Sequence, residues 1–229
     1  MGGVYRRAPM TADDPITLGA AWPLYGLRIH SERLVLRLPT DDDLVRMMVV
    51  ARAGIHPPDE MPFSVAWSTL ASPAFERGFM QYHWGLRSTW KAEAWDLTLM
   101  IELDGQPIGS QSVSGSQFAI MRTVHTGSWL GRTFQRRGYG REMRAAVLAF
   151  AFDGLGARVA ETEAFIDNAA SGGVSRSLGY EENGRGFLAP EGIARETQRF
   201  RMTLEQWRSR PRPAITIEGL EVCRPMFGV

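Results

Sequence analysis

Gln135-Arg136-Arg137-Gly138-Tyr139-Gly140, QRRGYG, stands between TVHTGSWLG (123–131) and YGREMRAAVLAFAFDGLG (139–156). The first flank reads as a strand. In the second, Met143, Val147, Phe150 and Gly154 recur at i, i+4, i+7 and i+11, which predicts an amphipathic helix ended by Gly154 and Gly156. The hexapeptide is therefore a turn from strand into helix. The first N–H groups of a helix lack intrahelical acceptors, and with the helix dipole they form an anion site. Gly138 and Gly140 remove side chains that would keep a phosphate from the backbone. Arg132, Arg136, Arg137, Arg141 and Arg144 set five cations within thirteen residues against one acid, Glu142.

Working outward, RLVLRL (33–38) alternates with period two and predicts a half-buried strand. Thr40 or Asp41 caps the next helix, whose apolar face is Leu44, Met47, Met48 and Ala51. HPPDEMPFSVAW (56–67) is a loop, and a second helix covers about 74–90. WDLTLMIEL and QPIGSQSVSG form a hairpin through Asp104-Gly105. ARVAETEAF (157–165) is a strand, NAASGGVSRSLG (168–179) a short helix capped near Asn168, and YEENGRGFLA with RETQRFRMTL a final antiparallel pair. The order predicts one α/β (α+β) domain of mixed sheet. Residues 1–27 read as an N-terminal extension and 208–229 as a proline-studded tail with a strand-like stretch, AITIEGLEV.

The chain has 229 residues, a net charge of +1 and 44% hydrophobic residues, ordinary for a soluble globular domain and unlike a nucleic-acid-coating protein. Its one cysteine, Cys223, excludes a disulfide framework and a cysteine-rich zinc site. AAVLAFAF is too short to span a bilayer, and the N-terminus shows no secretory signal, so a cytoplasmic location without membrane or DNA partners is expected. The apolar stretch ITLGAAWPLYGL and the strand-like tail suggest a homo-oligomer.

Which phosphate ligand fits the turn? A dinucleotide fingerprint needs a third glycine where Met143 stands, and no Gly-Lys-Ser/Thr P-loop is present. The ordered set Gln135, Gly138, Gly140, then Asn168 and Ser171, then Leu178-Gly179-Tyr180 resembles the GNAT superfamily of acyl-CoA-dependent N-acyltransferases. SERLVLRLPTDDDL (31–44) is similar to the start of its Rim-type branch, named for acetyltransferases of ribosomal-protein N-termini. The resemblance covers residues 28–207 and implies a central, mostly antiparallel sheet splayed at the cofactor site.

It also implies that the backbone N–H groups of Arg136, Arg137, Gly138, Tyr139, Gly140 and Arg141 hold the coenzyme A pyrophosphate. Trp129, Leu130 and Arg132 would lie along the pantetheine arm, with the Leu130 N–H aimed at the thioester carbonyl. Asn168 would bond the pantetheine amide, and Ser171 would donate a proton to the leaving sulfur. The co-substrate is then acetyl-CoA or another short acyl-CoA, with no metal.

The acceptor implied is a primary amine, which attacks only when deprotonated, so a base is expected. Glu163 is one candidate; Glu161, on the same strand face, His125 and His83 are others. His56, Phe63 and Trp67 are candidates for the substrate pocket. A dicarboxylic donor such as succinyl-CoA would need a nearby cation, His56 or Arg87. A non-catalytic acyl-CoA-binding regulator is the alternative of another class.

Overall fold

The computed structural model describes residues 16–229. Most of the expected N-terminal extension, up to residue 15, lies outside the described residues. In chain order the elements begin with α1 (Leu18–Ala21), β1 (Arg28–His30), β2 (Leu34–Arg37), α2 (Asp41–Arg52) and α3 (Ala74–Ser88). The long hairpin β3 (Ala94–Leu103) and β4 (Gln106–Ser116) follows, then the short α4 (Phe118–Met121) and β5 (Thr123–Leu130). Next come α5 (Tyr139–Ala149), β6 (Val159–Phe165), α6 (Ala169–Leu178), β7 (Glu181–Leu188) and β8 (Arg195–Thr203). The described chain finishes with α7 (Leu204–Arg208), β9 (Thr216–Glu218) and α8 (Leu220–Cys223).

Local chemistry accounts for most of the boundaries. Thr40, not Asp41, caps α2, and the Asp43 carboxylate returns a bond to the Thr40 N–H, a reciprocal cap. Burial pushes the Asp43 carboxyl up, but Arg37 and Thr40 hold it well below the usual carboxylate range. Asp104 and Gly105 both take positive φ, the turn that matches strand twist. The second helix stops at Ser88, two residues short of the expected end, with Thr89 as its cap.

Nine strands form one sheet in the order β7-β8-β6-β5-β4-β3-β2-β1-β9. Every pairing is antiparallel except β5 with β6. α5 packs on one face, where Leu97, Leu99, Ile101, Val113, Val124 and Leu130 point into the main core. α2 and α3 cover part of the other face with a second cluster around Leu44, Met47, Phe75, Phe79 and Met100.

Two expectations change on folding. The tail read as a separate segment pairs in its own chain: β9 lies antiparallel to β1, Ile217 opposite Ile29, and Cys223 and Phe227 are fully buried in the main core. The strand proposed as an uncovered edge for a partner is thus spent inside the chain. The helix expected to bury one face, α5, is buried all round from Met143 to Ala149. The π-helical turn that continues it, Phe150–Gly154, is covered by the returning tail, since a Cβ on Gly154 would lie 3.1 Å from Leu220 and 3.5 Å from Ile217.

Candidate active site

The site begins where β5 leaves β6. The two strands pair in parallel from Thr123–Val159 to His125–Glu161 and then separate, while β5 stays paired with β4 up to Gly109–Leu130. Gly131 N–H donates to the Ile108 carbonyl. Hydrogen-bonded and non-bonded pairs alternate in an antiparallel ladder, so Ser128 and Leu130 aim their backbone groups away from β4, into the open seam. The Leu130 carbonyl there accepts a bond from Gln135 Nε2 at 2.9 Å. Sequence reading named Leu130; the strand period would also have named Ser128.

At the top of the seam the chain turns into α5. Gly138 is its N-cap at φ 84°, a conformation glycine adopts freely, and no side chain caps the helix. No described residue accepts a hydrogen bond from the N–H of Gly138, Tyr139 or Gly140. Arg132, Arg136, Arg137 and Arg141 stand exposed around them and form no ion pair among the described residues. The turn is held from outside by Arg33, missed in the sequence. Its guanidinium pairs with Glu142 at 2.6 Å, bonds the Arg137 carbonyl and stacks on Tyr139 at 4.5 Å. The Glu142 carboxyl, pushed up by burial, is held below its usual range by Ser31 and Arg33. Uncapped donors ringed by free cations suit a diphosphate.

Arg144 does not belong to that cluster. Its helix position faces the sheet, so it is buried, and four arginines rather than five surround the turn.

α6 flanks the other side: Val174 lies 3.5 Å from where a Gly140 Cβ would be. Asn168 caps α6 by accepting the Ser171 N–H at 3.0 Å, which leaves its amide nitrogen to donate elsewhere. Ser171 is half-buried on the first turn.

On the sheet face opposite α5, register sets Asp96, Ser114, His125, Glu161 and Arg201 in one row. His125 Nδ1 lies 3.7 Å from Glu161 Oε2, at the last paired residues before the seam opens. Glu163, two residues on, accepts a short hydrogen bond from Thr197 and faces Arg199 at 3.5 Å. His83 is outside this row, buried at 4% exposure against Phe79 and Tyr82 on α3, and burial, then Arg87, lowers its pKa to about 4.

The candidate pocket residues come together as one aromatic wall. His56 meets Phe63 at 5.8 Å, Phe63 meets Trp67 at 5.2 Å, and Trp67 reaches half-buried Trp129 at 5.8 Å. His56 is pinned by Ser68 and the Pro57 carbonyl. Arg87 is bound to Asp41 and the Pro39 carbonyl.

A splayed parallel pair leading into an uncapped helix start is the architecture of a coenzyme A acyltransferase. The family model described as the acetyltransferase (GNAT) domain matches residues 33–181, and the chain belongs to that family. It is an acyltransferase of the coenzyme A-dependent kind. In fold it is similar to Mycobacterium smegmatis RimJ in complex with CoA-disulfide (20% identity, 84% of this chain and 92% of that one, TM-score 0.64). It is likewise similar to the ribosomal L7/L12 alpha-N-protein acetyltransferase RimL in complex with coenzyme A (16% identity, 77% and 97% covered, TM-score 0.62). A GCN5-related N-acetyltransferase from Brucella melitensis gives 17% identity, 79% and 80% coverage and a TM-score of 0.64. No described helix is long and apolar enough to cross a membrane, and no cluster of metal-ligating side chains occurs among the described residues.

Proposed function

We propose that the chain transfers an acetyl or other short acyl group from coenzyme A to a primary amine by direct attack in a ternary complex. The acceptor class is a protein N-terminus, a lysine or a small-molecule amine, with the N-terminal acceptors of the Rim-type branch favoured by the likeness to RimJ and RimL. The observation that carries the reading is the seam between β5 and β6, open beyond His125–Glu161 and ending at an uncapped helix start.

In this reading the N–H groups of Gly138, Tyr139 and Gly140 hold the pyrophosphate, and Arg132, Arg136, Arg137 and Arg141 neutralise it. Trp129 and Leu130 line one wall for the pantetheine arm, Asn168 and Ser171 the other. The N–H groups of Leu130 and Ser128 offer preorganised donors to the oxyanion of a tetrahedral intermediate. Ser171 hydrogen-bonds the departing sulfur and passes it a proton once it has left. His125, exposed and oriented by Glu161, accepts the amine proton; Glu163 supplies negative charge on the same face. The wall His56–Phe63–Trp67 borders the acceptor.

Succinyl-CoA as donor is the alternative, but the two cations first considered for its carboxylate, His56 and Arg87, are both engaged. Incubation with acetyl-CoA or succinyl-CoA and a panel of peptides and small amines tests the proposal, read by thiol release and product mass. Acyl-CoA binding without transfer to any amine would defeat it.

A further inference from the structure

Arg144 is the arginine of the turn region that goes inside. It is 3% exposed. Nε donates to Gln111 Oε1 at 3.3 Å, Nη1 to Thr162 Oγ1 at 3.2 Å and Nη2 to Ser128 Oγ at 3.1 Å. All three acceptors are neutral, and no carboxylate among the described residues pairs with it. A guanidinium carries five N–H bonds, and these three acceptors do not use them all. Beside it the Tyr180 hydroxyl, on a residue 4% exposed, lies within reach of Arg144 and Thr126 without a well-aligned hydrogen bond to either. Tyr180 is the titratable group that borders Arg144, while His125, Glu161 and Glu163 lie on the opposite face of the sheet.

The place matters as much as the missing counter-ion. Ser128 belongs to β5 and Thr162 to β6, so the guanidinium bridges the two strands just beyond their last ladder pair. Thr162 Oγ1 in turn donates to the Thr126 carbonyl at 2.9 Å and closes the bottom of the seam. From Leu130 at the top to Thr126 at the bottom is about 13 Å of strand. A chain threaded down from the α5 turn runs out of room beside this cation. Burying an unpaired charge costs a protein dearly, and an arriving anion offsets that cost. The thioester is neutral and brings none; the thiolate formed from it is an anion.

Resting on the acyl-transfer reading above, we propose that Arg144 stabilises the coenzyme A thiolate as it leaves. The amine lone pair forms the C–N bond, the C–S bond breaks with its electron pair passing to sulfur, and the amine proton goes to His125. Positive charge then meets negative charge only as the bond breaks, which lowers the barrier without tightening the substrate complex.

The test is to titrate coenzyme A bound to excess protein by the ultraviolet absorbance of its thiolate. The wild type is compared with Arg144→Met, Arg144→Lys and Arg144→Gln, and kcat and KM are measured alongside. In the wild type the bound thiol should ionise at least about one pH unit below free coenzyme A. The shift should vanish in R144M and return in part in R144K. In R144M kcat should fall on the order of 10²-fold while KM for acyl-CoA moves less than about threefold. Should R144M not fold, R144Q, which keeps hydrogen bonds without charge, carries the same comparison. Identical ionisation in wild type and the neutral variants overturns the proposal, as does a wild-type thiol that titrates like the free one. So does a loss confined to acyl-CoA with a terminal carboxylate, which would make Arg144 an acyl-recognition residue. A wild type that binds no coenzyme A refutes instead the acyl-transfer reading itself.

Discussion

Strand β5 has two edges with different fates. Toward β4 its ladder runs from His125–Ser114 to Leu130–Gly109; toward β6 it stops at His125–Glu161. The first edge satisfies its backbone groups within the sheet and pins the strand. The second leaves donors exposed, with hydroxyls and one guanidinium where a neighbouring strand would be. One edge supplies rigidity, and the other can supply binding because the first holds it still.

Breaking the closed edge should have the largest effect. A Cβ on Gly109 would collide with the Trp129 carbonyl oxygen and sit 2.9 Å from Leu130 Cα, so Gly109→Ala must push β5 off β4. We expect a loss of about 3 kcal/mol or more in denaturant unfolding, with activity falling as the fold does.

Two histidines on the open and covered parts of the same sheet face sharpen the contrast. His83, beneath α3, has its pKa lowered from 6.5 to about 4. The unfolded chain takes up that proton first as pH falls. The stability His83 contributes is therefore complete above about pH 6.5 and is lost toward pH 4, by about 3 kcal/mol. Unfolding across this range should show the slope, and His83→Gln should flatten it without changing the pH profile of turnover.

His125 at the open seam should do the reverse. His125→Ala should lower kcat about 10²-fold and leave both the melting temperature and KM for acyl-CoA nearly unchanged. An unaltered kcat would remove His125 from the mechanism.

The smallest effect falls at the turn. Gly138→Ala forces an alanine to φ 84° and places its Cβ 3.3 Å from the Arg33 guanidinium. KM for acyl-CoA should rise about tenfold, with about 1 kcal/mol lost from the fold. A larger loss of stability than of binding would mean the turn serves packing more than the ligand.

Much of this was legible in the residues. Period two placed Glu161 and Glu163 on one face, Asp104-Gly105 announced the hairpin, and Gly138 announced a turn from strand into helix. Other features depend on partners distant in the chain. Arg144 looked like a fifth surface cation because helical spacing says which residues share a side, not which side meets Ser128 and Thr162. Arg33 and Glu142 carry no motif, and only the fold brings them together. The cover over Gly154, in the turn that continues α5, comes from Ile217 and Leu220, residues no local pattern connects to that helix.

The β1–β9 pair has a consequence for how the chain reaches its fold. Ile29 must find Ile217, so a three-residue strand made early in synthesis waits, with one rim bare, until nearly the whole described chain has emerged. Until then Leu220, Cys223 and Phe227 are missing from the main core beside Phe150 and Gly154, and the nascent domain presents greasy surface to its surroundings. Chaperone dependence should therefore concentrate in this last interval of elongation, long after the catalytic strands have formed.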